Sequence, residues 1–151
     1  MKVYVFGNPD ILQDKEALIV AQKLKAHVTN RGYKSMDSSF SKIRKETNIN
    51  FITVKPNEDL SFANEKNVII MDVIKGIDEI KILDFEDIGL LKLSPRTSTH
   101  DFDLGLQLKY LKKLGKLKEI KIIGLPYGKK VNYLTIQSIL RKLVAQDMQG
   151  S

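Results

Sequence analysis

The sequence predicts an α/β fold: a three-layer sandwich in which a mostly parallel central sheet of about five strands is flanked by helices. Two observations carry that expectation. Short β-branched and aromatic runs alternate with segments whose apolar residues recur at helical spacing. One of the runs, "NVIIMDVI" at 67–74, is apolar on both faces, as a central strand covered by helices on either side must be. With 151 residues, no internal repeat and no linker, the chain reads as a single domain, 1–151, long enough to bury a core.

The elements follow in order. "KVYVF" (2–6) is a strand that stops at the turn signal Gly7-Asn8-Pro9. From Asp14 the pattern becomes helical: Ala17, Ala21, Leu24 and Val28 share one face, and Gly32 stands where a C-terminal glycine cap belongs. The polar stretch 33–48 reads as a loop with room for a short helix. "INFITVK" (49–55) is a second strand and "NVIIMDVI" the third, while "EIKILDF" (79–85) alternates as an edge strand does. After the irregular "EDIGLLKLSPRTST", a helix opens on the capping-box pattern Ser98-x-x-Asp101 and continues on Leu104, Leu108, Leu111 and Leu114. "EIKIIGL" (119–125) is the last strand, and Asn132 caps a final helix with Ile136, Leu140 and Leu143 on one face.

Composition narrows the function classes. With 42% hydrophobic and 28% charged residues the chain is an ordinary globular one. Cysteine is absent, which excludes disulfides, cysteine nucleophiles and thiolate metal sites. No apolar run approaches a membrane span, and the N-terminus reads straight into a strand rather than a signal peptide, so a cytoplasmic location is expected. The net charge of +7 invites a nucleic-acid reading. The lysines, however, are densest at "KYLKKLGKLKEIK" (109–121), whose leucines fall at helical spacing. A solvated helix face explains them best, and a surface for an acidic partner comes second. No nucleic-acid motif accompanies the charge.

Ligands of parallel α/β sheets bind at the carboxyl ends of the strands. That rule points to the loops after "KVYVF" and "NVIIM" and to the one leading into "THDFD". The first holds Asp14, for which a helix N-cap is the bland alternative. The second holds Asp72, an acid in a buried strand, costly unless paired, hydrogen-bonded or metal-bound. The third holds His100, whose place in the first turn of a helix keeps the imidazole neutral and able to bind metal or act as a base. His27, beside Lys25 in the first helix, has no comparable surroundings and is read as incidental. Two carboxylates and an imidazole at one sheet end could hold a divalent transition metal such as nickel, zinc or manganese.

In these residues the sequence resembles the hydrogenase maturation endopeptidases. That family's pattern is a first strand ending in Gly-Asn-Pro with an acidic residue six positions after the asparagine. An apolar strand ending in aspartate follows, then a histidine–aspartate pair before a leucine-rich helix. Here those are "FGNPDILQD", "VIIMDV" and "THDFDLGLQL". The resemblance implies a sheet flanked by helices, of the phosphorylase/hydrolase-like kind. It also implies an endopeptidase that removes a C-terminal extension from the precursor of a nickel–iron hydrogenase large subunit once nickel has been inserted. The nickel would be carried by the substrate rather than resident, and contacted by Asp14, Asp72 and His100; another divalent metal could substitute in vitro. Neither nucleic acid nor membrane is an expected partner.

No G-x-S-x-G or H-E-x-x-H motif is present, so the hydrolytic group is unassigned. Two alternatives stand beside this reading. One is a non-proteolytic accessory or chaperone-like binding module for a hydrogenase subunit. The other is a nucleotide- or flavin-binding protein, disfavoured because the first loop is not G-x-G-x-x-G.

Overall fold

The computed structural model describes residues 1–26, 49–55, 60–89 and 104–149. Its elements in order are β1 (Lys2–Val5), α1 (Glu16–Ala26), β2 (Asn50–Thr53), β3 (Asn67–Ile74), β4 (Lys81–Leu83), a 3-10 turn (Asp87–Gly89), α2 (Leu104–Lys113), β5 (Glu119–Pro126) and α3 (Tyr133–Gln149). The strands form one five-stranded sheet in the order β2-β1-β3-β5-β4. All neighbours are parallel except β4, which runs antiparallel to β5 with Lys81 opposite Gly124. The expected mostly parallel sandwich is thus the fold, with "EIKILDF" contributing the short edge strand.

Strand alternation divides the core into two layers. Val3 and Val5 of β1 and Met71 and Val73 of β3 point to one face. There they meet Ala17, Val20, Ala21 and Leu24 of α1 and Ile136, Leu140, Leu143 and Val144 of α3. Tyr4, Phe6, Val68, Ile70 and Ile74 point to the other face, under Leu104, Leu108 and Leu111 of α2. Phe62 seals that second layer, its ring centroid 4.9 Å from that of Tyr4 and 6.3 Å from that of Phe6. Every side chain of "NVIIMDVI" except the first therefore faces a covered layer, which is why the run carries no polar/apolar alternation.

Two expectations about helices meet different outcomes. Asn132 caps α3 as expected, its Oδ1 accepting the Leu134 N–H at 3.0 Å. Leu114, expected on the buried face of α2, is instead 50% exposed. Leu104, Leu108 and Leu111 span a narrow arc, and three residues further on the helix has rotated Leu114 to its rim. The chain also leaves the helix there. Gly115 adopts φ +67°, its N–H bonds the Lys112 carbonyl and the Lys116 N–H reaches back to Leu111, a Schellman closure that sends Leu117 inward in place of Leu114. The proposed continuation of α1 to Val28 and Gly32, the stretch 33–48 and the Ser98–Asp101 capping box lie outside the described residues. Among the described residues no helix is long and apolar enough to cross a membrane.

Candidate functional site

β1 and β3 are neighbours, but the strand that follows β1 lies on one side of the pair and the strands that follow β3 lie on the other. Such a reversal opens a crevice at the carboxyl ends, the usual ligand site of open α/β sheets. Both aspartates predicted from the sequence stand at this point.

Asp72 owes its orientation to the end of β1. The last rung joining the two strands is Phe6 N–H to the Met71 carbonyl, at 2.9 Å. Backbone polar groups of alternate residues point the same way, so Val73 also directs its N–H toward β1. By then β1 has turned away at Gly7, and the donor needs another partner. Asp72 Oδ1 accepts it at 2.8 Å. The half-buried carboxylate thus leans into the space that β1 vacates.

Asp14 is held by the loop that makes that turn. Its Oδ2 accepts the Asn8 N–H at 2.7 Å, and Asn8 Oδ1 in turn accepts the Asp10 N–H at 2.9 Å. Asp14 is not the helix N-cap. The first helical rung runs from Ile19 N–H to the Lys15 carbonyl, which puts Lys15 at the cap and Asp14 one residue before it. Gly7 is required here by both conformation and space. Its φ is +148°, and a Cβ would lie 2.7 Å from the Asp14 carbonyl oxygen. The Gly-Asn pair therefore sets where the Asp14 carboxylate sits.

The two acids feel each other. Asp72 is pushed up to about 7, first by burial and then by the negative charge of Asp14, against the opposing pull of the Val73 N–H. A crevice that brings two carboxylates close enough for one to raise the pKa of the other suits a cation. Carboxylate oxygens suit a divalent ion, and an added imidazole nitrogen would shift the preference toward transition metals. Among the described residues no cluster of three or more metal-ligating side chains forms. His100 lies outside them.

The path toward His100 differs from the simplest expectation. Because β4 is antiparallel, its carboxyl end points away from the site, and the carboxyl-end rule does not reach the third loop through β4. The described element nearest to His100 in sequence is α2, which begins at Leu104. The segment that follows it reaches the amino edge of the sheet, where the Lys118 N–H bonds the Lys66 carbonyl, and the ten residues of the helix span about 15 Å.

The loop after β5 also borders the site, and the sequence analysis did not single it out. The Tyr127 N–H bonds the Ile74 carbonyl at 3.2 Å, Lys75 Nζ sits 4.4 Å over the Tyr127 ring, and Lys129 pairs with Asp78 at 2.6 Å. Gly128 approaches Gln13, the residue before Asp14. The signal was available: "PYGKK" follows a parallel strand, and the rule that flagged the other loops applies to it equally.

One solved structure shares this architecture. The solved structure of the hydrogenase maturating endopeptidase HybD from Escherichia coli superposes with a TM-score of 0.53 at 16% identity, covering 99% of this chain and 91% of that one. The hydrogenase 2 maturation peptidase from Thaumarchaeota archaeon SCGC_AB-539-E09 gives a TM-score of 0.42 at 18% identity, covering 98% of each chain. No curated protein matches the sequence. The family profile described as hydrogenase maturation protease matches residues 49–149, a span that contains Asp72 and His100 and begins after Asp14. The chain therefore belongs to the hydrogenase maturation proteases, hydrolases that act on peptide bonds.

Proposed function

We propose that this protein, acting as one domain in the cytoplasm, removes a C-terminal extension from the precursor of a nickel–iron hydrogenase large subunit after nickel insertion. It recognises the nickel held by that substrate through Asp14, Asp72 and His100. The observation that carries this reading is the convergence of Asp14 and Asp72 at the switch point between β1 and β3, where each is held by a backbone N–H and the charge of one raises the pKa of the other. Two like charges placed together cost stability, and a divalent ion presented by the substrate would offset that cost. His100 is the third member proposed for the set, a reading its position in the chain allows. It precedes Leu104 by four residues, a span of at most ~14 Å, and Leu104 belongs to the layer that holds Phe6 and Ile74 beside the crevice.

In this reading the nickel is a property of the substrate that the protein checks. An empty precursor would present nothing to bridge the two carboxylates, and its tail would be held too poorly for hydrolysis. The test is to incubate the protein with nickel-loaded and nickel-free precursor and to follow precursor mass. Loss of a C-terminal peptide from the loaded form alone is expected. Equal cleavage of both forms, or of neither, overturns the proposal.

A further inference from the structure

Helix α2 has two outward seams that the site does not use. Of the six exposed large hydrophobics among the described residues, three fall on this helix and its closing turn: Leu106 (64% exposed), Tyr110 (62%) and Leu114 (50%). They are spaced four apart, so they line up along one flank over about 12 Å. Lys109 and Lys113 run beside them on the adjacent flank, and Lys116 is exposed just past the closing turn. Lys112 takes no part, because its Nζ is turned back over the Phe85 ring at 4.4 Å. From Leu104 to Lys118 there are five lysines and no acidic residue. The inward face of the same helix already has what it needs in Leu104, Leu108 and Leu111.

A helix whose outer face were only solvated would not set three large apolar side chains in register there. The geometry points to a docking surface for the substrate: we propose that the Leu106–Tyr110–Leu114 seam and the Lys109–Lys113 flank together bind an acidic, partly apolar surface of the folded precursor, away from its scissile tail. This rests on the proposed function above. Charge complementarity selects the occupant. A second copy of this chain would bring lysine seams face to face, and a nucleic-acid backbone would engage the lysines while leaving the apolar seam unused. The helix also leads toward the amino edge of the sheet, which the segment after it reaches. A protein engaged at the crevice could therefore meet Leu106 first and Leu114 last.

The experiment measures steady-state processing of nickel-loaded precursor by the wild type, by the apolar variant Y110S/L114S and by the charge variant K109E/K113E. A third variant, R141E/K142E, makes the same charge change on exposed residues of α3. All substituted side chains are exposed, and circular dichroism confirms that each variant folds. The expected result is a KM raised about tenfold or more in the two α2 variants with kcat retained, and wild-type values for R141E/K142E. Wild-type KM in the α2 variants overturns the docking surface while leaving the proposed function standing. A rise of equal size in R141E/K142E overturns it too, since the effect would then be one of net charge. Concentration-dependent dimerisation lost in Y110S/L114S would overturn it in favour of a self-interface, and salt-sensitive RNA binding lost in K109E/K113E in favour of nucleic acid. Absence of processing by the wild type itself removes the proposed function, and the docking surface with it.

Discussion

Asp72 is the residue at which fold and function compete. Burial and the neighbouring Asp14 push its carboxyl up to about 7, so between about pH 4 and pH 7 the folded protein binds a proton that the unfolded chain has released. Stability attributable to this group is greatest at the acid end of that window and falls as the pH rises through it. Asp72→Asn carries no charge at any pH. It is expected to match the wild type near pH 4 and to be more stable at pH 8 by about 1–2 kcal/mol, less than the full shift would give because Asp72 keeps some solvent contact. Thermal melts across that range check the sign, and the same variant should lose nickel-dependent processing, a stability–activity trade at a single position. Gly7 is the second residue with a sharp expectation. Gly7→Ala places a methyl against the Asp14 carbonyl in an unfavourable conformation, and a loss of about 1–3 kcal/mol is expected in urea denaturation. A smaller loss would mean that the loop can shift, and then the Asn8 N–H to Asp14 bond should weaken instead.

At the scale of elements, most of the architecture was legible because it rests on periodicity. The two-sided apolar run of β3, the edge character of β4 and the Asn132 cap of α3 each reflect a local requirement that a sequence can state alone. Leu114 shows where periodicity fails. It extends the leucine spacing of α2, yet the Schellman closure at Gly115 turns the chain before Leu114 can be covered. The contrast is measurable. Leu108→Ala, at a side chain 1% exposed, should cost about 2–5 kcal/mol, whereas Leu114→Ala should stay within about 0.5 kcal/mol. Similar losses for both would show that Leu114 is packed after all. At Asp14 the structure decides against the bland alternative. Aspartate before a helix suggests an N-cap, but the first helical rung starts at Lys15, and the carboxylate accepts the Asn8 N–H instead.

For the whole molecule, the consequence is a site assembled from segments far apart in sequence. Asp14 and Asp72 are brought together because β1 and β3 pair in parallel while β2 is placed on the far side of β1. A divalent cation that bridges them should stabilise the fold by mass action, about 2.7 kcal/mol at a hundredfold excess over its Kd. Nickel(II) alone should therefore raise the Tm of the wild type and leave that of Asp14→Asn/Asp72→Asn unchanged. An equal rise in both would place the ion elsewhere. By itself the sequence determined the fold class, the apolar faces of the elements, the turn at Gly7-Asn8 and the identity of the acidic residues at the strand ends. These follow from side-chain chemistry and local spacing, which are fully present in the chain. Only the tertiary structure decided the order β2-β1-β3-β5-β4, the reversal of β4, the meeting of the Asp14 and Asp72 charges and the outward seams of α2. Those depend on which strand pairs with which and on which helix face is left uncovered, quantities set by long-range packing that no local pattern encodes.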